Sequence, residues 1–316
     1  MKAKPTPVNE GFLEEVDGHS VYYAEYGNTD GPKILTLHGG PGDHTKVSHV
    51  MAYDLTKYHV IGFDQRGCGK SQPAARVLSN STQDLIKDIE RLRVYLSIDS
   101  WFVAGGSWGT TLALVYAQTF PDKVRGLMMS SVFLGDSFEI EWAFTGESGV
   151  AKLFPDLWDK RQSDFKKFGV SATKAAEFFS DKLRDGDEEE KKHIIASIMS
   201  WEGNLLSSYR PELLMSPSEV DQEAVNYATV YLHYEAHNFF LADKQIIENI
   251  SEIKHIPIVM IHGRYDVLCP AVSAWEIHKA HSNARLEILP QSHHSFGADG
   301  QQARKFLYEA FLLSNE

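Results

Sequence analysis

Short apolar runs that alternate with helical patterns constrain this chain more than any other feature. Ile34-Leu35-Thr36-Leu37 reads as a buried strand ending in a glycine-rich turn, His38-Gly39-Gly40-Pro41-Gly42. Tyr58 to Phe63 reads as a second strand, ending at Asp64-Gln65-Arg66-Gly67. From Thr82 to Leu96 apolar residues recur at helical spacing (Leu85, Ile89, Leu92, Leu96), and Asp84 and Asp88 stand in the early turns, where the helix dipole favours acid. Trp101 to Ala104 is again a strand, Thr110 to Gln118 a helix stopped by Phe120-Pro121, and Val124 to Ser130 a further strand. Strands joined through helices make right-handed crossovers, so the rhythm predicts an α/β fold with a mostly parallel sheet flanked by helices.

The rhythm fails after about Gly135. Helical patterns run from there to about Asn249, and strand patterns return at Ile256 to Ile261 and Arg285 to Leu289. Residues 1–135 and 250–316 are therefore expected to form one discontinuous core, and 136–249 an inserted helical cap. The 316 residues carry 43 acidic and 31 basic side chains, a net charge of -12, and ten of those negative charges belong to 136–249, with 22 acidic and 12 basic residues. Within that stretch the charged run Asp187 to Lys192 reads as a solvated helix face or turn. An acidic cap over a site would favour encounter with a cationic substrate end. There is no internal repeat and no low-complexity tract.

The pentapeptide Gly105-Gly106-Ser107-Trp108-Gly109 joins a predicted strand to a predicted helix, the setting in which G-x-S-x-G has mechanical meaning. A serine on that turn is held clear of the sheet, its neighbours must be small, and the helix N-terminus behind it favours developing negative charge. Such a serine needs a base and an acid, which in a parallel sheet belong on loops after later strands. His262-Gly263-Arg264-Tyr265-Asp266 follows one such strand, and Pro290-Gln291-Ser292-His293-His294-Ser295 follows the next. Asp266 and either His293 or His294 thus complete a Ser-His-Asp set, in which the histidine takes the serine proton and the aspartate holds the imidazole tautomer. The backbone N–H of Trp108 and one from the Gly39-Gly40-Pro41-Gly42 loop are the candidate oxyanion donors. Asp64 is a rival acid, but Arg66 two residues on is placed to pair with it, so Asp64 is read as fixing its loop.

An acidic balance argues against a nucleic-acid partner and against binding an anionic membrane surface. Two cysteines, Cys68 and Cys269, support neither a disulfide framework nor a cysteine zinc site and read as small buried hydrophobes. His233 and His237 share a helix face, but Glu235 between them lies about 200° round the helix, away from any metal the pair would hold. His278 and His281 have no acidic residue between them, so metal catalysis is not expected. No apolar run spans a bilayer and the N-terminal residues lack an apolar leader pattern, so a cytoplasmic location is expected.

The blocks His38-Gly39-Gly40-Pro41-Gly42, Asp64-Gln65-Arg66-Gly67-Cys68-Gly69-Lys70-Ser71 and Gly105-Gly106-Ser107-Trp108-Gly109 together resemble the signature blocks of the proline iminopeptidases, serine aminopeptidases of the α/β-hydrolase fold. Asp84 to Leu92 and His262 to Asp266 are also similar, and the likeness spans nearly the whole chain. It implies release of an N-terminal residue, preferably proline, from short peptides with a free N-terminus, through an acyl-enzyme and without a cofactor. The resemblance assigns the nucleophile to Ser107, the acid to Asp266, the base to His294 and the oxyanion donors to Gly40 and Trp108. His293 stands where the family's Gly-His-Ser block carries its glycine. Trp201-Glu202 and Tyr234-Glu235-Ala236-His237-Asn238-Phe239 resemble the cap segments whose glutamates receive the substrate ammonium, which implies that role for Glu202 and Glu235. The alternatives are a hydrolase of esters, lactones or other small amides on the same fold, and a non-catalytic ligand-binding module. Haloalkane dehalogenases and epoxide hydrolases are disfavoured because their elbow carries aspartate.

Overall fold

The computed structural model describes residues 4–146, 148–206 and 214–315. Its centre is an eight-stranded sheet made of β1 (Asn9–Phe12), β2 (Tyr22–Gly27), β3 (Lys33–Leu37), β4 (His59–Phe63), β5 (Trp101–Ser107), β6 (Val124–Val132), β7 (Ile258–Gly263) and β8 (Ala284–Leu289). The spatial order is β1-β2-β4-β3-β5-β6-β7-β8. β1 and β2 are antiparallel, β2 runs antiparallel to β4, and every later pairing is parallel. The opening hairpin escaped the sequence reading, because its two strands are joined without a helix and β2 carries Glu25 among its tyrosines.

Alternation along the strands divides the core in two, since successive side chains point to opposite faces. Leu35, Leu37, Ile61, Val103, Met129 and Met260 face one core, shared with α2 (Thr82–Tyr95) and α3 (Trp108–Thr119). Ile34, Val60, Phe102, Ala104, Met128, Val259 and Ile261 face the other, which is closed by Val50 of the short α1 (Val47–Val50) and by Leu307, Tyr308 and Leu312 of the last helix. Helix α2 begins with a capping box in which Ser81 and Asp84 exchange hydrogen bonds.

Between β6 and β7 the described residues contain helices and no strand: α4 (Ser137–Ile140), α5 (Pro155–Phe168), α6 (Ala172–Asp185), α7 (Glu188–Leu206), α8 (Gln222–Ala236) and α9 (Gln245–Glu248). The charged run resolves into the start of α7. Asp187 accepts hydrogen bonds from the Glu189 and Glu190 N–H groups, and three glutamates occupy the first turn, where the dipole stabilises them. After β7, α10 (Val272–Ala280) returns to β8, and α11 (Gly297–Asn315) completes the described chain. Because β3 and β5 to β8 run parallel, the loops after them all emerge at one edge of the sheet. Helix α8 lies over that edge: the Tyr234 ring meets Trp108 edge-on at 5.2 Å, and the Tyr234 hydroxyl donates to Asn80 Oδ1 at 2.8 Å.

Candidate active site

Ser107 closes β5 and precedes α3, with φ 54° and ψ -128°. A non-glycine residue pays about 1–3 kcal/mol for such backbone, and it persists only where the surroundings enforce it. The turn is enforced by close approach. A Cβ at Gly105 would stand 2.2 Å from the Gly109 carbonyl oxygen, and one at Gly109 would stand 2.3 Å from that of Leu37. Trp108 is the first residue of α3, so its N–H lacks an acceptor within the helix.

Asp266, on the loop after β7, and His294, on the loop after β8, meet at the same edge. His294 Nδ1 donates to Asp266 Oδ2 at 2.9 Å and Oδ1 at 3.0 Å. The Asp266 carboxylate also accepts the Cys269 N–H at 2.9 Å and the Leu268 N–H at 3.2 Å. Burial disfavours a charged imidazole at His294, but the adjoining Asp266 carboxylate outweighs it and raises the ring above the ordinary histidine value. Burial likewise opposes ionisation of Asp266, and His294 overcomes it, so that carboxyl lies below its usual range. With Nδ1 engaged, Nε2 is the nitrogen left for a reacting group. Nearby His262 is held neutral by burial: its Nε2 donates to the Cys269 carbonyl at 2.8 Å and its Nδ1 accepts the Val132 N–H at 3.2 Å.

Of the two adjacent histidines, the one joined to Asp266 is therefore His294. His293 lies with its ring 6.0 Å from that of Tyr265. Its backbone is not among the left-handed residues of the chain, so histidine stands there without strain. Phe296 and Gly297 supply the left-handed turn of this loop, at φ 61° and 65°.

The loop after β3 lies against Ser107, since a Cβ at Gly39 would be 3.4 Å from the Ser107 Cβ. Gly40 has φ 107°, and a Cβ there would come within 2.6 Å of the Gly42 nitrogen, so a side chain has neither the backbone nor the space. Side chains hold this loop to α3. The Gln65 N–H donates to His38 Nε2 at 3.0 Å, Gln65 Nε2 donates to the His38 carbonyl at 2.9 Å, and Trp108 Nε1 donates to Gln65 Oε1 at 2.9 Å. Asp64 accepts the Thr45 N–H at 2.9 Å and the Lys70 N–H at 2.8 Å, and so braces its loop.

The expected Asp64–Arg66 pair does not form. Arg66 instead makes a bidentate pair with Asp88, Nε to Oδ2 at 2.6 Å and Nη2 to Oδ1 at 2.9 Å. Backbone donors already occupy Asp64, and Asp88 sits on the buried side of α2, where it serves the guanidinium rather than the helix dipole.

Ser107, His294, Gly40, Glu202 and Tyr227 line one cavity of about 260 Å³. Glu202, on α7, accepts a 2.6 Å hydrogen bond from the Tyr227 hydroxyl of α8. Burial pushes its carboxyl up to about 7; Tyr227 and His294 oppose the shift and Glu235 adds to it. Glu235, on α8, is also buried but does not line this cavity. Its carboxyl too is raised to about 7 by burial, against the attraction of Arg161. Arg161, from α5, is buried over the rings of Phe165 and Trp201, 5.2 and 5.6 Å from their centroids.

Two site residues were not legible in the sequence. Tyr227 reads as one aromatic among several on an amphipathic helix. Cys269 reads as core, yet its thiol lies near the Ser107 side chain. Its sulfur also lies within 4.8 Å of donor atoms of Asp266 and His294. Its only signal was its place three residues after Asp266. Burial lifts this thiol well above the ordinary range, so it stays protonated, and Asp266 is committed to His294; the trio is poorly suited to a cation. The other histidine pairs bind carbonyls: His233 that of Asn80, His237 that of His233, His278 that of Ala284 and His281 that of Ile253.

Comparison with known proteins agrees with this architecture. The α/β hydrolase fold family matches residues 32–301. A proline iminopeptidase of Arabidopsis thaliana is 37% identical over 300 residues, covering 94% of this chain and 78% of that relative. One from Xylella fastidiosa is 38% identical over 291 residues, covering 92% of each. Among solved structures, an α/β hydrolase enzyme from a Medee basin deep-sea metagenome library superimposes with a TM-score of 0.61 at 15% identity, over 96% of this chain and 97% of that one. A bromoperoxidase from Bacillus anthracis does so with a TM-score of 0.63 at 17% identity, over 94% and 96%. These structures share the fold, and the sequence relatives narrow it further. The chain belongs to the proline iminopeptidases, within the α/β-hydrolase fold family.

Proposed function

We propose that the protein is a serine aminopeptidase that releases N-terminal proline from short peptides. Ser107 is the nucleophile, His294 the base and Asp266 the acid that orients it. The observation that carries this reading is that a buried carboxylate, Glu202, shares one cavity with Ser107 and with a histidine already fixed to an aspartate.

The chemistry follows from the atoms. The substrate's N-terminal ammonium pairs with Glu202, while Glu235 adds negative potential from behind, and the prolyl carbonyl comes to rest above Ser107. Ser107 Oγ attacks the carbonyl carbon as His294 Nε2 takes its proton, and the imidazolium is stabilised by Asp266. The tetrahedral oxyanion is received by the N–H groups of Gly40 and Trp108, at the positive end of α3. Collapse breaks the C–N bond and His294 returns its proton to the leaving amine. Water, deprotonated by the same histidine, then hydrolyses the acyl-enzyme. No step calls for a cofactor.

A blocked N-terminus brings no cation, so Glu202 either stays ionised and uncompensated or takes up a proton, and binding is lost. The same reading places the protein in the cytoplasm. Both cysteines are free and buried, and among the described residues no helix is long and apolar enough to cross a membrane.

The test is a set of arylamides of free proline, N-blocked proline and other N-terminal residues, together with simple esters. Free prolyl arylamide should be the best amide substrate. Equal rates for free and blocked proline would overturn the aminopeptidase reading, and turnover of esters alone would replace it with an esterase.

A further inference from the structure

The lining of the Ser107 cavity is not uniform in charge. The cap supplies the carboxylate of Glu202; the core supplies that of Asp43 and, beside it, Lys46, His49, Gln301 and Arg304. Three of these four are already satisfied or neutral. Lys46 Nζ is paired with Asp43 at 2.6 Å. Burial, with help from His38 and Arg304, pushes the His49 ring down to about 4, and its Nδ1 accepts the Lys46 N–H at 3.2 Å. Gln301 donates its amide to the Ser295 carbonyl at 3.0 Å.

Arg304, on α11, is different. Among the described residues no carboxylate lies within 4 Å of it, and its buried Nε has no hydrogen-bond partner. The groups that feel its charge are neutral: the ring of His49 and the hydroxyls of Tyr53 and Tyr308. A guanidinium cannot shed its proton, so a half-buried one without an acceptor calls for an anion from outside the chain. Its planar fork fits a carboxylate through two parallel hydrogen bonds.

We propose that Arg304 receives the C-terminal carboxylate of the substrate, so that the preferred substrates are dipeptides with both termini free. This rests on the aminopeptidase reading above, which sets the ammonium at Glu202 and the scissile carbonyl at Ser107. In a dipeptide the carboxylate follows the leaving nitrogen by a single residue, about 3.5 Å of chain, and stays within the same cavity. Each added residue carries it a further step of that length away from Arg304. A zwitterion thus spans the cleft with its cation at Glu202 and its anion at Arg304.

The experiment compares prolyl-glycine with prolyl-glycinamide, which differ only in the terminal charge. Wild-type kcat/KM should favour the free acid by roughly tenfold or more, the range of a charge-assisted hydrogen-bonded pair. Arg304→Gln should bring the ratio close to one, and Arg304→Lys, which keeps the charge but loses the fork, should retain part of it. A wild-type ratio near one, or equal losses on both substrates in Arg304→Gln, would overturn the assignment. Calorimetric binding of the uncleavable reduced-amide analogues of the two compounds gives the same ratio without turnover. If neither peptide is cleaved, the aminopeptidase reading fails on its own. The analogues then still decide whether Arg304 selects a carboxylate: preference for the acid, lost in Arg304→Gln, supports it, and equal binding overturns it.

Discussion

Replacing Tyr227 by phenylalanine isolates the role of the Glu202 carboxylate. The change removes one hydroxyl and keeps the ring that stacks on Tyr231 at 5.7 Å. That hydroxyl donates a 2.6 Å hydrogen bond to Glu202, whose carboxyl stands at about 7 chiefly through burial. The bond favours the ionised form, so its loss raises the carboxyl further. A hydrogen bond to a charged group contributes about 1.5–3 kcal/mol, equivalent to an upward shift of about one to two pH units. Near pH 7 the ionised fraction of Glu202 would fall from about a half to about a tenth or less. For a substrate with a free N-terminus, kcat/KM should therefore drop at least about fivefold at pH 7, and its acid limb should move up by about one to two units. A neutral ester does not use Glu202, so its acid limb reports His294, which the Glu202 charge helps to raise, and should stay in place or move down. The assay is kcat/KM against pH for prolyl arylamide and for the ester, on wild type and variant. Limbs that move together, or a prolyl limb that does not move, would refute the claim that this carboxylate must be ionised to bind substrate.

Exchanging the two adjacent histidines for alanine should separate them: His294→Ala should lower kcat by about a thousandfold or more, and His293→Ala far less, with comparable losses refuting the assignment. Ser107→Gly should abolish turnover yet raise the thermal midpoint, because glycine relieves backbone strain of about 1–3 kcal/mol at φ 54° while costing about 0.5–1 kcal/mol in chain entropy; a fall in Tm would count against strain at the elbow. Asp88→Asn leaves the buried Arg66 guanidinium with only the half-exposed Asp17 carboxylate, 3.5 Å away, and should cost about 3 kcal/mol in urea unfolding, whereas Asp64 would show no such coupling to Arg66 in a double-mutant cycle. If the acidic cap steers cationic substrate ends, kcat/KM for prolyl arylamide should decline with added salt while that for a neutral ester holds, and a salt-independent value would exclude steering.

What could be read from sequence follows from short-range physics. A strand, a tight glycine-flanked turn and a helix are neighbours in the chain, so the Ser107 elbow is written in one continuous segment. Parallel connections force the loops after β3, β5, β7 and β8 to one edge, which brings Gly40, Trp108, Asp266 and the 293–294 pair into range before any coordinate is known. Tertiary structure decided whatever depends on side-chain direction between segments far apart. Adjacent residues His293 and His294 share a loop and a composition, and only the path of that loop turns one ring toward Asp266. Arg66 lies two residues from Asp64 and 22 from Asp88, but the side chain follows the way the backbone leaves β4, and it reaches the more distant partner. Tyr227 meets Glu202 across 25 residues, on helices whose packing no local pattern specifies. Arg304 is one cation among 31 basic residues until the fold shows that, among the described residues, it alone of the cations around the Ser107 cavity lacks a countercharge. Local sequence encodes backbone shape and hence where catalytic loops emerge. Charge pairing across the site depends on distances that exist only once the chain is packed.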